Sequence, residues 1–129
     1  MKRGLIAGAG GAFRIVEQLP RKVALELLFT GDPISAAEAA RWGLVNKVVA
    51  NGTALENALQ LAERIAVNAP LSVQASKRVA YGADDRIVEA EEPKWARVAR
   101  EGEALLASED AKEGPRAFAE KRVPMWKAR

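Results

Sequence analysis

The sequence offers few side chains for acid–base, nucleophilic or metal chemistry. Its 129 residues include no histidine and no cysteine, so the commonest general base, the commonest metal ligand and any thiolate are absent. A Ser-His-Asp triad cannot be built from this chain, and no disulfide can form. Proton transfer would fall to Asp, Glu, Lys, Tyr or backbone groups.

Two pairs of adjacent carboxylates are candidates for that proton transfer. The pairs are Asp84/Asp85 and Glu91/Glu92, and such pairs can act as acid and base when burial separates their pKa values. Both lie in polar stretches that read as helix, so a solvated surface is the favoured interpretation. We therefore assign no catalytic residue and no metal site from the sequence.

A glycine cluster, GLIAGAGG, occupies residues 4–11 with glycine at Gly4, Gly8, Gly10 and Gly11. A dinucleotide-binding G-x-G-x-x-G pattern fails because Phe13 stands where the third glycine is needed. A phosphate-binding Walker loop fails because no Gly-Lys-Ser/Thr follows. Taken locally, the cluster is best interpreted as a flexible entry into a helix.

Near the other end, Phe118 stands one helical turn from Lys121 and Arg122. An aromatic ring beside cations can stack on a base and neutralise a phosphate. The alternative is a core phenylalanine beside a solvated charged face, which is favoured on local grounds.

Composition indicates one globular domain. Apolar residues make up 49% and charged residues 29% of the chain, with a net charge of +3, which suits an anionic ligand without requiring one. Lysine and arginine are dispersed, which disfavours a nucleic-acid partner. No apolar run approaches the roughly 20 residues that span a bilayer, and the short stretch after Lys2-Arg3 does not read as a signal peptide.

Hydrophobic spacing and helix-end residues predict a mostly helical chain. Capping boxes are predicted at Ser35/Glu38 and Thr53/Glu56. The predicted helices are Arg21–Phe29, one from Ser35 to Trp42, one from Thr53 to about Asn68, one from Pro70 to near Gly82, Arg86–Ala107, and a last one that Ser108 caps.

Irregular points interrupt this pattern. Pro93 is expected to kink or divide the helix Arg86–Ala107, and Gly114-Pro115 to restart the last helix. Leu44–Val49 follows Gly43 and predicts one short strand. A lone strand has no partner within the chain, so we expect another segment or another chain to supply one.

Four stretches together resemble the crotonase superfamily, the enoyl-CoA hydratases and isomerases. They read GLIAGAGGAFRI, LLFTGDPISAAEAARWGLVNKVV, NAPLSVQASK and SEDAKEGPRAFAEKRVPMWK, and the last is similar to the ending of the carnitinyl-CoA dehydratase subgroup. The resemblance implies the mainly α, C-terminal helical part of the α/β crotonase (ClpP/crotonase-like) fold, with one short strand. Residues 1–52 would end the core, and residues 53–129 would form a helical region for oligomerisation and CoA contact.

The resemblance also implies a mechanism and the residues that serve it. Such enzymes hold an acyl-CoA thioester in an oxyanion hole of two backbone N–H groups, and two glutamates handle the added water. By this match both glutamates and the oxyanion hole fall before residue 1, so the chain would be inactive alone. Gly8 would line the pocket, with Gly10 and Gly11 following it into the helix. Phe118 and Lys121 would contact the adenine and phosphate end of CoA.

The expected partners follow from the same resemblance. They are an acyl-CoA substrate and copies of the chain, as a trimer or hexamer, in the cytoplasm, with no membrane, no nucleic acid and no cofactor beyond the CoA of the substrate. The alternative function is a non-catalytic helical module that oligomerises. A basic nucleic-acid-binding domain is a weaker third hypothesis.

Overall fold

The computed structural model describes residues 2–84 and 87–129, and this part of the chain is mostly helical. Between the fifth and sixth helices, strands β1 (Ala83–Asp84) and β2 (Ile87–Val88) pair antiparallel. A 3₁₀ turn at Glu89–Glu91 follows them. The α-helices are α1 (Gly11–Gln18), α2 (Arg21–Thr30), α3 (Ala36–Arg41), α4 (Ala54–Ala66), α5 (Pro70–Tyr81), α6 (Glu92–Leu106) and α7 (Glu109–Ala119).

The ends of α3 confirm the local signals that predicted it. The Ser35 hydroxyl accepts the Glu38 N–H at 3.2 Å, which satisfies one of the free donors of the first turn. After the helix, Gly43 takes a φ of +78°, and the Leu44 N–H donates to the Ala39 carbonyl at 2.8 Å. A left-handed residue with this return hydrogen bond is how many helices stop.

The predicted strand at Leu44–Val49 is wrong. These residues form bends and irregular backbone, and the described part of the chain places no ladder partner beside them. A strand exists only when its N–H and C=O groups pair with a neighbour. The β-branched residues of Leu44–Val49 therefore favoured a strand, but they could not supply the second strand with which it must pair.

Three helix-end predictions also need correction. Thr53 does not cap α4 through its side chain, and its backbone (φ −101°, ψ 7°) lacks the extended conformation usual for an N-cap. Its hydroxyl donates instead to the Ala50 carbonyl at 2.9 Å. Pro93 lies in the first turn of α6, where its missing N–H is harmless, so it begins the helix rather than kinking it. The predicted start at Arg86 lies outside the described residues. Finally, α7 runs without a break through Gly114 and Pro115.

The chain forms two compact units, which we describe separately. The first contains residues up to Asn46 together with Pro93–Arg129. Its buried side chains are small apart from one leucine. They are Leu19, Ala24, Ala39, Ala111 and Ala117. The small residues let backbone segments approach closely.

The second unit contains Lys47–Glu92. Neither α4 nor α5 has a buried residue. The large apolar side chains exposed on these helices and the residue after α4 are Leu55, Leu59, Leu61, Ile65, Val67, Leu71, Val79 and Tyr81. The functional division at residue 52 stays a prediction. In the described residues, none of the helices has the length and apolar character needed to cross a membrane.

Candidate functional site

The glycine-rich segment, residues 3–11, packs against helix α7 at its start. The N-cap of α7 is Ser108, whose hydroxyl accepts the Ala111 N–H at 3.1 Å. The buried residues of α7 are all small and recur every three positions, which gives the helix one smooth face. A Cβ added at Gly114 would lie 2.0 Å from the Arg3 carbonyl oxygen. The backbone of Arg3 therefore rests directly on the helix.

Gly4 continues this contact. Its φ is +66°, and a Cβ there would lie 2.3 Å from the Asp110 carbonyl oxygen and 3.3 Å from the Trp126 ring. Both the left-handed backbone and the lack of space require glycine at this position. The start of the glycine-rich segment is thus held between α7 and the C-terminal segment.

The C-terminal segment, residues 123–129, is fixed to α7 by carboxylates that accept backbone N–H groups. Asp110 accepts from Lys127 at 2.7 Å and from Ala128 at 3.0 Å. Glu113 accepts the Met125 N–H at 2.8 Å and also binds the Arg122 guanidinium, with one contact at 3.0 Å. Charge-assisted hydrogen bonds of this kind are stronger than neutral ones.

These contacts lower the pKa values of the carboxyl groups involved. The Arg122 guanidinium, followed by the Met125 N–H, lowers the pKa of Glu113 from 4.5 to about 2. Arg122 is also the main cause of the lowered pKa of Glu120. A groove of about 460 Å³ lies here, lined by residues that include Glu113, Arg122 and Val123. The C-terminal segment contributes Val123, Met125 and Lys127 to this lining, so the groove is the space left between that segment and α7.

Acid is expected to release the C-terminal segment. The pKa of Glu113 is lower in the folded chain than its ordinary value, so its contribution to stability is complete above pH 4.5 and is lost as the pH falls through about 2. The Met125 amide NMR signal should move toward its random-coil position across that window. Glu113→Ala should show the same shift at neutral pH, and the exposed Glu103→Ala should not. A Met125 signal unchanged in both tests would contradict the clamp.

The predicted pocket glycines differ in their surroundings. Gly8 is exposed, its φ is not in the left-handed region, and an added Cβ would meet nothing within 4 Å. Gly10 is buried, has a φ of +82°, and precedes α1, whose first residue is Gly11. A Cβ at Gly10 would lie 3.1 Å from the Trp95 ring. Gly10 is therefore required by the fold, whereas Gly8 leaves its space open.

An aromatic and cationic cluster surrounds Gly10. Phe13 and Trp95 meet edge to face with ring centres 5.2 Å apart. The Arg14 guanidinium lies 5.2 Å from the Trp95 ring, and the Lys94 ammonium lies 5.8 Å from the Phe13 ring while it pairs with Glu17. No local spacing in the sequence connects α6 to the glycines, so this role of Trp95 could not be predicted from the sequence.

Phe118 and Lys121 both lie at the exposed end of α7. The Phe118 side chain is 62% exposed, and the Arg3 guanidinium lies 3.9 Å from its ring centre. Lys121 has a φ of +53° just after the helix, where the Arg122 N–H donates to the Ala117 carbonyl at 3.0 Å. The core-phenylalanine alternative is therefore wrong. The segment from Arg3 to Gly11 connects this end of α7 to the pocket glycines.

The two carboxylate pairs of the sequence analysis contribute no described acid–base site. Glu91 is half-buried and Glu92 is exposed. Asp85 lies outside the described residues, and nothing is described of the Asp84 side chain. No group of three or more potential metal ligands occurs within residues 2–84 and 87–129.

Comparison with known proteins gives consistent results across the chain. The enoyl-CoA hydratase/isomerase family model matches residues 1–129. A carnitinyl-CoA dehydratase of Salmonella typhi is 41% identical over 130 residues, which cover 99% of this chain and 49% of that relative. The chain thus spans about half the length of the curated relatives it matches.

Solved structures agree with this match. The crystal structure of a carnitinyl-CoA hydratase from Mycobacterium avium superposes with a TM-score of 0.98 and 75% identity, over 99% of this chain and 49% of that one. An enoyl-CoA hydratase/isomerase from Pseudoalteromonas atlantica T6c gives a TM-score of 0.87 at 30% identity, over 98% of this chain and 50% of that one. The mostly helical, crotonase-like fold predicted from the sequence is confirmed, apart from its strand.

Proposed function

Because the chain belongs to the enoyl-CoA hydratase/isomerase family, we propose that it forms part of a site that hydrates a 2-enoyl-CoA thioester. The observation that carries this proposal is the glycine-rich segment. The Trp95 ring leaves no room for a side chain at Gly10. Gly8, two residues earlier, has open space where a side chain would stand. Residues 8–11 thus form a glycine wall with no side chain at Gly8, which lets a thioester and a water molecule approach the backbone closely.

At the other end of the same segment, Phe118 and Lys121 would bind the nucleotide end of CoA. The exposed ring can stack on adenine, and the ammonium can approach a phosphate.

Hydration also needs a general acid and a general base close to the bound water. The side chains described beside Gly10 include Arg14 and Trp95, Phe13 packs against Trp95, and Glu17, a carboxylate of this cluster, is paired with Lys94. We therefore propose that the 129 residues do not hydrate an enoyl-CoA by themselves. CoA enters as part of the substrate, and the proposal includes no separate cofactor. It places the protein in the cytoplasm.

The test joins the chain to the part of the Mycobacterium avium relative that it does not cover. This fusion polypeptide should hydrate crotonyl-CoA, measured as loss of the absorbance of the conjugated thioester. The chain alone and the relative's part alone should not. A folded fusion polypeptide that neither binds nor hydrates an acyl-CoA would overturn the proposed function. Turnover by the chain alone would overturn only its proposed inactivity.

A second candidate function is a non-catalytic helical module that oligomerises, and one observation favours it. In the unit Lys47–Glu92, α4 and α5 bury no residue and expose large side chains such as Val67 at 85% and Val79 at 83%. Exposed apolar surface of this extent is typical of a face that another chain or segment covers.

Self-association of the purified chain is the expected result of that surface. Light scattering should report a mass above one chain at concentrations well above those of a dilute assay, because covering these side chains removes apolar area from water. Leu71→Lys, at a side chain 78% exposed, should shift the distribution toward the monomer. The neighbouring Ser72→Lys adds the same charge and should change it less. A clean monomer for the unaltered chain would contradict this expectation.

A further inference from the structure

Ala9, between the open Gly8 and the buried Gly10, has a backbone conformation that alanine rarely adopts. Its φ is +51°, in the left-handed region where a Cβ crowds the following carbonyl oxygen. Gly10 follows with a φ of +82°, so two successive left-handed residues lead the chain into α1. Glycine adopts this backbone freely, whereas alanine does so only when its surroundings hold it there.

Helix α6 supports the chain on both sides of Ala9. On one side, the Trp95 ring lies against Gly10, since an added Cβ there would lie 3.1 Å from the nearest ring carbon. On the other side, the Ile6 side chain reaches Gly102, where an added Cβ would lie 4.0 Å from its methyl carbon. Trp95 and Gly102 are seven positions apart and therefore lie on one face of α6. The turn that contains Ala9 is thus held at both ends by the same face of one helix.

This support reaches Gly8 through the backbone. The N–H of Gly11, at the start of α1, donates to the Gly8 carbonyl at 2.9 Å, and this hydrogen bond fixes the direction of that carbonyl. Rotation of Ala9 to a negative φ would turn the peptide groups between Gly8 and Gly11 and break the hydrogen bond. The open side of Gly8 would then face another direction, and a substrate bound there would lose its alignment.

We propose that Trp95 is a positioning residue for the enoyl-CoA site, which keeps Ala9 left-handed and thereby orients the Gly8 backbone toward the substrate. This rests on the proposed function, in which the thioester and water lie against Gly8. Relaxation of Ala9 would displace either Gly10 from the Trp95 ring or Ile6 from α6, so these two contacts oppose it. In this role the indole acts through the backbone and does not need to touch the substrate.

Crotonyl-CoA hydration by the fusion polypeptide tests this role. Trp95→Leu removes the ring from Gly10, so Ala9 should relax in most molecules and kcat should fall about tenfold. KM should change by less than about twofold, because the nucleotide end of the thioester would still bind at Phe118 and Lys121. Trp95→Phe retains a ring and should recover part of kcat. Ala9→Gly in the Trp95→Leu background should recover most of it, because glycine adopts the left-handed backbone without support.

The matched control is Trp42→Leu, at the end of α3, which also removes an indole ring beside an arginine, the Arg41 guanidinium being 4.7 Å from the ring centre. This variant should keep the unaltered kcat. NMR of the chain gives a second readout that does not depend on activity. A left-handed residue shows a strong nuclear Overhauser effect between its own amide and α protons. Ala9 should show it in the unaltered chain and in Trp42→Leu, and should lose it in Trp95→Leu.

A Trp95→Leu variant that keeps the unaltered kcat, or in which Ala9 stays left-handed, would overturn the proposal. A loss of kcat that Ala9→Gly does not reduce would overturn it as well, since that result indicates only a structural role for the ring. If the unaltered fusion polypeptide does not hydrate crotonyl-CoA, the proposed function fails. The NMR comparison would still decide whether Trp95 holds Ala9 left-handed.

Discussion

Gly114→Ala is expected to destabilise the chain by about 2 kcal/mol or more, although alanine is the better helix former. The added Cβ would lie 2.0 Å from the Arg3 carbonyl oxygen and 2.2 Å from its carbonyl carbon. Both obstacles are backbone atoms, so no side-chain rotation relieves the overlap. The segment that begins at Arg3 must move away from α7, and the free energy of unfolding should fall accordingly.

The matched control is Gly102→Ala, also at a glycine inside a helix of the same unit. There the added Cβ would meet only the Ile6 side chain, at 4.0 Å, which is an ordinary contact. Its effect should be a stabilisation of up to about 1 kcal/mol from helix propensity alone.

Chemical denaturation of the two variants and the unaltered chain measures the difference. The two alanines should move the midpoint in opposite directions. In Gly114→Ala, the amide NMR signals of Arg3 and Gly4 should also shift most strongly. If both alanines stabilise the chain equally, the close approach of Arg3 to α7 does not exist in solution.

Local signals in the sequence predicted the elements whose ends depend on neighbouring residues. The Ser35 cap and Gly43 confine α3, and Pro70 and Gly82 confine α5. Such signals work because a cap satisfies backbone groups within one turn. The strand at Leu44–Val49 failed for the opposite reason. Its formation depends on a partner that no residue within it specifies.

The candidate site shows the same division. The glycines could be found because four of them stand within eight residues, and the resemblance to a family gave them a role. The residues that surround the glycines could not be found in this way, since Trp95 contacts Gly10 from α6, which lies far along the chain. Arg3 and Phe118 are further apart still. Contacts of this range follow from how helices pack, which hydrophobic periodicity does not determine.

Gly8→Ala should abolish most of the activity of the fusion polypeptide without destabilising it. The backbone of Gly8 is not left-handed, and an added Cβ would meet nothing within 4 Å. The free energy of unfolding should therefore stay within about 0.5 kcal/mol of the unaltered value. If the open space is where the thioester and water bind, the methyl group displaces them, and a displacement near 1 Å lowers turnover by about 100-fold.

Gly10→Ala separates this effect from damage to the wall. Its φ of +82° and the Trp95 ring 3.1 Å from the added Cβ make alanine strained there, by about 1–2 kcal/mol or more. Gly10→Ala should thus lose stability and activity together, whereas Gly8→Ala should lose activity alone. The measurements are crotonyl-CoA hydration and thermal unfolding of both variants in the fusion polypeptide. Full turnover by Gly8→Ala would show that the open space does not receive substrate, and the glycine wall would then serve only to hold α1 against α6.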